Sequence, residues 1–240
     1  ERIPVKSFSA DNGFIGKMQK LVREEVLPYQ YNILNDAIPG IEKSHAIENI
    51  RLAAEKLRGK DVKPDEFYGM VFQDSDVAKW IEAAAYALAA GEDPELEKAV
   101  DETIQLYGAS QHEDGYVDSY FTVKCPDKMW TNICDAHELY CAGHMMEAAV
   151  AYYEVTGKRE LLDIMSKSAD CIYEQFMKKN TRAYPGHPEV ELALMRLWRA
   201  TGNEKYKELA KHFVDVRGQA PNYFVEEKKN RGWNVWDGTE

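Results

Sequence analysis

Cysteine is scarce in this sequence, and long apolar runs are missing. Four of the 240 residues are cysteines: Cys125, Cys134, Cys141 and Cys171. Four are too few for a disulfide scaffold of this length, so we interpret them as reduced thiols. No stretch approaches the ~20 apolar residues of a membrane span, and the first residues lack the layout of a signal peptide. The sequence therefore predicts a cytoplasmic protein without a membrane partner.

Positive charge is also in short supply. The chain has 41 acidic residues against 30 lysines and arginines, which gives a net charge of −11. An acidic chain without a basic run is not expected to bind nucleic acid. The phosphate-binding loop, the dinucleotide fingerprint and the G-x-S-x-G elbow are missing as well. These absences exclude the common nucleotide-dependent and serine-hydrolase readings of the sequence.

Helical periodicity is what the sequence does contain. Three segments have a buried character: 132–156 is apolar on nearly all sides, 187–200 is apolar on two sides, and 74–90 is alanine-rich and weakly charged. Each is followed by a segment with one charged face, across a short turn that contains glycine. Helices of the first kind are buried and helices of the second kind border solvent. The pairs are 74–90 with 94–108, 132–156 with 158–178, and 187–200 with 203–217. The pattern predicts an all-α protein of inner and outer helices, an (α/α)6-type barrel.

The remaining segments complete this prediction only in part. A helical pattern runs over 11–36, kinked or restarted at Pro28, and another covers 47–57. We interpret 40–70 as a candidate peripheral insertion, and 218–240 has no clear element. About eight helices are visible, whereas six helical hairpins need twelve. We therefore expect an incomplete barrel whose partner is the remaining part of the same protein.

The N-terminal end of the segment 132–156 concentrates polar residues. Asp135 with Glu138 three residues later is a capping-box pattern, which predicts Asp135 as the N-cap. His137 and Cys141 have the i, i+4 spacing of a zinc-binding pair. Cys134 and His144 cannot complete such a site, because the four positions extend along about 15 Å of one helix. We therefore predict no metal site in this chain, and we interpret His144 as a hydrogen-bonded core histidine.

Loops that lead into the inner helices of an α/α barrel meet at one end. Here they carry a mixture of hydroxyl-binding and aromatic residues, which suits a carbohydrate, since ring faces pack on C–H surfaces. These residues are Gln73, Asp74, Asp76, Gln111, His112, Asp114, Tyr116, Tyr120, Trp130, His137, Glu138, Tyr184 and His187. Asp74 and Asp76 have the alternative interpretation of helix caps.

Five segments carry a more specific pattern. They are L-V-R-E-E-V-L-P-Y-Q-Y-N-I-L-N-D within 14–36, F-Q-D-S-D-V-A-K-W-I-E-A-A-A-Y at 72–86, Q-H-E-D-G-Y-V-D-S-Y-F at 111–121, H-E-L-Y-C-A-G-H-M-M-E-A-A-V-A-Y-Y-E-V-T-G-K at 137–158, and P-G-H-P-E-V-E-L-A-L at 185–194. In this order they resemble the N-terminal part of glycoside hydrolase family 127, the β-L-arabinofuranosidase family. The resemblance covers nearly the whole chain.

The resemblance implies an α/α barrel followed by β-sandwich domains, and removal of terminal β-L-arabinofuranosyl sugars with retention. It implies a zinc-bound cysteine nucleophile and a glutamate acid/base, both expected beyond residue 240. This chain is therefore expected to contain neither a zinc ligand nor a catalytic residue. The substrate-binding residues that it implies are Gln30, His137 and His187, with Asp76, Asp114 and Tyr116 near the rim. Without the remaining part, the chain is expected to be inactive.

Two alternatives stay open at this point. The first is another α/α-barrel sugar enzyme, such as a glucuronyl hydrolase or an epimerase. The second is a helical-repeat binding module without catalysis, whose polar residues would be scattered along a concave face. A separation of His137 and His187 by more than about 10 Å would favour the binding module, because a small ligand could not contact both.

Overall fold

The computed structural model describes residues 6, 10, 13–179 and 181–236, and these contain helices and no strand. The α-helices are α1 Phe14–Leu21, α2 Leu27–Leu34, α3 Ala46–Leu57, α4 Asp74–Ala90, α5 Pro94–Ala109, α6 Ser119–Val123, α7 Glu138–Thr156, α8 Glu160–Tyr173, α9 Val190–Thr201, α10 Glu204–Arg217 and α11 Tyr223–Asn230. None of the helices in this part of the chain is long and apolar enough to cross a membrane.

The helices form two layers. In the inner layer α2, α4, α7 and α9 contact one another in that order, and in the outer layer α3, α5, α8 and α10 do the same. Within the last three hairpins, each inner helix contacts the outer helix that follows it. This arrangement is a partial α/α barrel, so the predicted fold class and the predicted alternation of inner and outer helices are confirmed.

Helix α7 lies at the centre of the inner layer. Fourteen of its 19 residues are buried, as its apolar character on all sides predicts. A Cβ atom at Gly143 would lie 3.0 Å from the backbone nitrogen and Cα of Val190. The glycine therefore lets α9 approach α7 more closely than a side chain would allow.

The inner and outer helices of a pair are joined by short turns that follow local rules. Asp93 accepts a hydrogen bond from the backbone N–H of Leu96, and Pro94 occupies the first turn of α5, where its missing N–H has no cost. Gly157 and Gly202 end α7 and α9 in the left-handed conformation, at φ 77° and 73°. We call these turns the far end of the barrel.

The predicted start of the central helix is wrong. Helix α7 begins at Glu138, and the N-cap position is His137, in the left-handed conformation at φ 61°. Asp135 does not cap the helix, because its carboxylate pairs with Arg231 at 2.7 Å. The Glu138 carboxylate accepts the backbone N–H of Trp130 instead of completing a capping box. Partners distant in sequence override the local pattern.

The alternative interpretation of Asp74 and Asp76 as caps of α4 is also wrong. The N-cap position is Gln73, and Asp74 is a buried residue of the first turn that accepts hydrogen bonds from the backbone and hydroxyl of Ser119. Asp76 lies two residues further inside the helix. Both aspartates are therefore free of a capping role.

The structure confirms the helical pattern predicted over 11–36 for most of its length. The predicted start at residue 11 lies outside the described residues, and α1 begins at Phe14. A π-helical segment, Val22–Val26, joins α1 to α2 just before Pro28. The predicted interruption at the proline therefore occurs as a change of helical register one turn earlier.

Two helices and one packing relation add to the predicted scheme. The segment predicted as a loop before α7 contains α6, and 218–240, predicted without an element, contains α11, which Asn222 caps. Residues 237–240 lie outside the described part. Helix α3, within 40–70, buries Ala46, Ile47 and Ile50 and contacts α4 and α5. This segment therefore contributes to the main core.

Candidate functional site

The loops entering α7 and α9 bring two histidines together. The rings of His137 and His187 lie 4.9 Å apart between centroids. Tyr140, one turn into α7, packs against both rings at 5.5 and 5.2 Å. Phe72 contacts His137 from the other side, at 5.3 Å. The two imidazoles thus share a partly aromatic wall, with His187 on the exposed side.

The environment of His137 defines its protonation. Its Nδ1 lies 2.5 Å from the carbonyl oxygen of Asp135, and since a carbonyl can only accept, Nδ1 carries the hydrogen. Burial lowers the pKa of His137, which favours the neutral ring. A neutral ring with its hydrogen on Nδ1 leaves Nε2 as an acceptor, available to a hydroxyl group.

A lysine connects this histidine pair to the neighbouring inner helix. Lys79 of α4 donates hydrogen bonds of 3.0 Å to the hydroxyl of Tyr140 and to the hydroxyl of Ser75. Its ammonium also lies 5.0 Å from the centre of the Tyr140 ring. One cation therefore holds the aromatic residue on which both imidazoles rest.

A cavity of about 580 Å³ lies beside Lys79, between α2 and α4. Among its lining residues are Gln30, Gln73 and Asp76. Burial raises the pKa of Asp76, and the charge of Lys79 opposes this shift. Of the six predicted substrate contacts, Gln30 and Asp76 thus share a cavity, and Lys79 with Tyr140 joins this cavity to His137 and His187.

Asp114 and Tyr116 make contacts elsewhere. Tyr116 is 3% exposed, and its hydroxyl donates a hydrogen bond of 2.6 Å to Glu138. Asp114 accepts the backbone N–H of Tyr116 in an exposed turn. A Cβ atom at Gly115 would lie 2.4 Å from the backbone oxygen of Lys167, which places this loop against α8 of the outer layer. The structure therefore does not bring these two residues into the group formed by the other four.

Lys79 and Tyr140 belong to a larger polar group with His144 and Glu189, which we call the polar stripe. His144 packs on the Tyr140 ring at 4.5 Å, and its Nδ1 lies 3.4 Å from the Glu189 carboxylate. Burial and the charge of Lys79 lower the pKa of His144 to about 4. Burial and the neighbouring acidic groups raise the pKa of Glu189 to about 7. Near neutral pH, the His144 ring is therefore uncharged, and the neighbouring Glu189 carboxyl group is close to the midpoint of its titration.

Sequence reasoning missed three members of this stripe: Lys79, Tyr140 and Glu189. For Lys79 and Tyr140, the spacing from predicted contacts contained the signal. Lys79 follows Asp76 by three positions, and Tyr140 follows His137 by three, so each lies on the same helical face as a predicted contact. His144, predicted as a core histidine, lies on this face as well, with its side chain 18% exposed.

The cysteines do not fit a metal centre. Burial raises the pKa of Cys134 and of Cys171 to about 12 and that of Cys141 well above its usual value, so these thiols are protonated near neutral pH. Among the described residues, no group of three or more histidines, cysteines or carboxylates could hold a metal ion. No reaction step through zinc can be built on this part of the chain.

The chemistry of the group matches a polyhydroxylated ligand. Neutral imidazole and amide groups both donate and accept hydrogen bonds, a carboxylate accepts, and an ammonium donates. Aromatic rings nearby present apolar faces to C–H groups. The cavity volume lies within the usual range for small-molecule sites. The group is therefore suited to bind one or two sugar units.

Comparisons with known proteins agree on one family. A profile described as β-L-arabinofuranosidase, GH127 catalytic domain, matches residues 9–239. Among curated proteins, the chain is 41% identical over 226 residues to the non-reducing end β-L-arabinofuranosidase of Bifidobacterium longum subsp. longum, covering 86% of this chain and 33% of that protein.

Solved structures give the same result. A GH127 β-L-arabinofuranosidase from Geobacillus stearothermophilus T6 is 53% identical with a TM-score of 0.87, over 93% of this chain and 35% of that one. A second GH127 β-arabinofuranosidase is 32% identical with a TM-score of 0.78, over 90% of this chain and 34% of that one. The chain thus spans about a third of the length of these relatives.

Proposed function

The chain belongs to glycoside hydrolase family 127, the family of β-L-arabinofuranosidase catalytic domains, and on this premise we propose that it is the N-terminal part of an enzyme that removes terminal β-L-arabinofuranosyl, or related, sugars with retention. The observation that carries the proposal is the 4.9 Å separation of His137 and His187 beside a cavity that Gln30, Asp76 and Lys79 help to line. The catalytic nucleophile, the acid/base and the zinc ligands belong to the rest of the protein in this proposal.

The role of this chain is to bind and orient the sugar. His137 accepts a sugar hydroxyl at Nε2, and His187 contacts the neighbouring hydroxyl. Gln30 and Asp76 bind further hydroxyl groups from the cavity side. Holding the sugar at several hydroxyls fixes the anomeric carbon relative to the reacting groups, which is where positioning contributes to rate.

The proposal is tested by hydrolysis of an aryl β-L-arabinofuranoside. The full-length protein is assayed with and without a zinc chelator, and the 240-residue chain is assayed beside it. We expect chelator-sensitive cleavage by the full-length protein and none by the chain alone. If the protein cleaves only a different glycoside in a panel, the β-L-arabinofuranoside is rejected as the substrate. If it cleaves no glycoside in the panel, a binding module without catalysis is favoured.

A second candidate is an α/α-barrel enzyme that acts on uronides. The observation in its favour is the Lys79 ammonium, which lines the same cavity and could pair with a sugar carboxylate. Asp76 in the same cavity opposes it, because a second carboxylate would be repelled. An unsaturated uronide in the assay panel separates the two candidates directly.

We also propose a cytoplasmic location for the protein. All four cysteines are free in the structure, which fits a reducing compartment. Cell fractionation followed by immunoblotting is the test, and recovery of the protein from the culture medium would reject the proposal.

A further inference from the structure

Helix α11 reaches into the loop that carries His137. Glu227 is buried, and its carboxylate accepts the backbone N–H groups of Ile133 and Cys134 at 2.6 and 3.1 Å. The hydroxyl of Tyr223, on the same helix, donates to the same carboxylate at 2.8 Å. A side chain about 90 positions away in sequence thus satisfies two backbone donors just before His137.

Arg231, the residue that directly follows α11, continues this connection to the ring. Its side chain is 7% exposed. Its guanidinium donates to the carboxylate of Asp135 at 2.7 Å and to the side-chain oxygen of Asn132. The carbonyl of Asp135 in turn accepts Nδ1–H of His137. The contacts therefore run without a gap from α11 to the imidazole.

The loop that carries His187 is held by the same helix. The Tyr184 ring packs on Phe224 at 4.5 Å and on Tyr223 at 5.7 Å. The two loops also touch each other, since a Cβ atom at Gly186 would lie 1.9 Å from the carbonyl oxygen of Cys134. One helix thus contacts both loops, and the loops leave no space between them at Gly186.

The backbone of the first loop needs such support. Trp130 and His137 both adopt the left-handed conformation, at φ 61° each, which is unfavourable for residues with a Cβ atom. Conformations of this kind persist only where the surroundings fix them. The two backbone hydrogen bonds to the buried Glu227 carboxylate, together with the ion pair between Arg231 and Asp135, supply that constraint.

We propose that α11 acts as a clamp in which Glu227 and Arg231 are positioning residues that set the spacing of His137 and His187 for sugar binding. The role of the clamp in sugar recognition rests on the proposed function. The geometric role, which fixes the two imidazoles, does not.

The test uses Glu227→Gln in the full-length protein, with Glu226→Gln as the control. Glu226 is the exposed neighbour on the same helix, so the control makes the same chemical change without touching the loops. We expect Glu227→Gln to raise KM for the aryl β-L-arabinofuranoside by about tenfold or more, because small displacements of binding groups have large effects. The control stays within about twofold of the wild type, as surface substitutions usually do.

A double-mutant cycle separates positioning from general destabilisation. If Glu227 acts through the histidines, Glu227→Gln adds little further loss in a His187→Ala background. Equal losses in both backgrounds would overturn the proposal. Should Glu227→Gln fail to fold, Arg231→Lys is used in the same cycle, because lysine keeps the charge but loses the fork that reaches both Asn132 and Asp135.

An NMR titration of His137 tests the clamp independently of the proposed sugar substrate. A loosened loop exposes the ring, so we expect its titration midpoint to rise toward that of an ordinary histidine in Glu227→Gln and to stay unchanged in Glu226→Gln. If wild-type protein cleaves no arabinofuranoside but this shift occurs, the proposed function fails and the clamp stands. An unshifted midpoint would reject the clamp even in an active enzyme.

Discussion

The two ends of the same helical hairpins are built in different ways. At the far end, α7 and α8 are joined by a short turn with Gly157 in the left-handed conformation, and Lys158 pairs with Glu97 and Asp101 at the surface. At the other end, which we call the site end, long loops enter α7 and α9. There buried carboxylates, Glu138 among them, accept backbone N–H groups of the loops.

The difference shows where the molecule accepts unfavourable local structure. The turns that end α7 and α9 use glycine, a residue without a Cβ atom, where the backbone requires a positive φ. The site end places Trp130 and His137 in such conformations, and the carboxylates of Glu138 and of Glu227 in α11 compensate by accepting backbone N–H groups of the loop. At the site end the strained backbone fixes the direction of the His137 side chain, whereas the turns at Gly157 and Gly202 only reverse the chain and use residues without a Cβ atom.

The largest effect is expected from removing an imidazole at the site end. His137→Ala in the full-length protein should lower kcat/KM by about 100-fold, because the buried sugar hydroxyl loses its partner. His45→Ala is the matched control, since His45 also occupies a helix N-cap with positive φ, at 55°. Equal losses in the two variants, measured with the aryl glycoside, would show that backbone strain and not the ring is responsible.

A pair of glycine substitutions compares the two ends directly. Gly186→Ala forces the loops apart, because its Cβ atom would meet the carbonyl of Cys134, and should cost about 1–3 kcal/mol of stability together with sugar affinity. Gly157→Ala has open space around the Cβ atom and should cost about 1–2 kcal/mol through φ alone. Thermal unfolding and KM are measured for both, and an altered KM in Gly157→Ala would contradict the comparison.

The buried Glu138 predicts a pH dependence that belongs to the site end. Burial raises its pKa to about 8 from a reference of 4.5, so the folded chain keeps a proton that the unfolded chain releases. Stability should therefore fall as pH rises between these values, by on the order of 1 kcal/mol per pH unit. Glu138→Gln should flatten this dependence in thermal unfolding between pH 5 and pH 8. The exposed Glu113→Gln should leave it as in the wild type.

The smallest effect is expected from the surface ion pairs of the far end. Lys158→Ala removes contacts to Glu97 and Asp101, but the lysine side chain is 42% exposed and screened by water. The loss should be no more than about 1 kcal/mol and should shrink at high salt. A loss well above this, in unfolding measured at two ionic strengths, would show that the far end also depends on specific pairs.

Local patterns predicted the far end well and the site end poorly. The sequence of each helix shows by itself whether the helix is buried on one side or on all sides, so periodicity predicted the inner and outer layers. The glycines between the helices predicted the turns. The start of α7 did not follow from periodicity, because Asp135 pairs with Arg231, just after α11, and Glu138 accepts the backbone N–H of Trp130. Helix α11 itself has only eight residues, although Asn222 as its cap was a usable signal. His137 and His187 followed from their place in the loops and from the family resemblance, while the helical spacing of Lys79 and Tyr140 from predicted contacts was a signal in the sequence that remained unused.

The contacts of Glu227 have a consequence for protein engineering. Transfer of the two histidines alone into another α/α barrel would not reproduce their spacing, because the backbone that presents them is held from outside their own loops. A transplant would have to carry three separate pieces, 130–140, 182–190 and 222–231, as one unit. The smallest portable form of this sugar contact is therefore discontinuous in sequence.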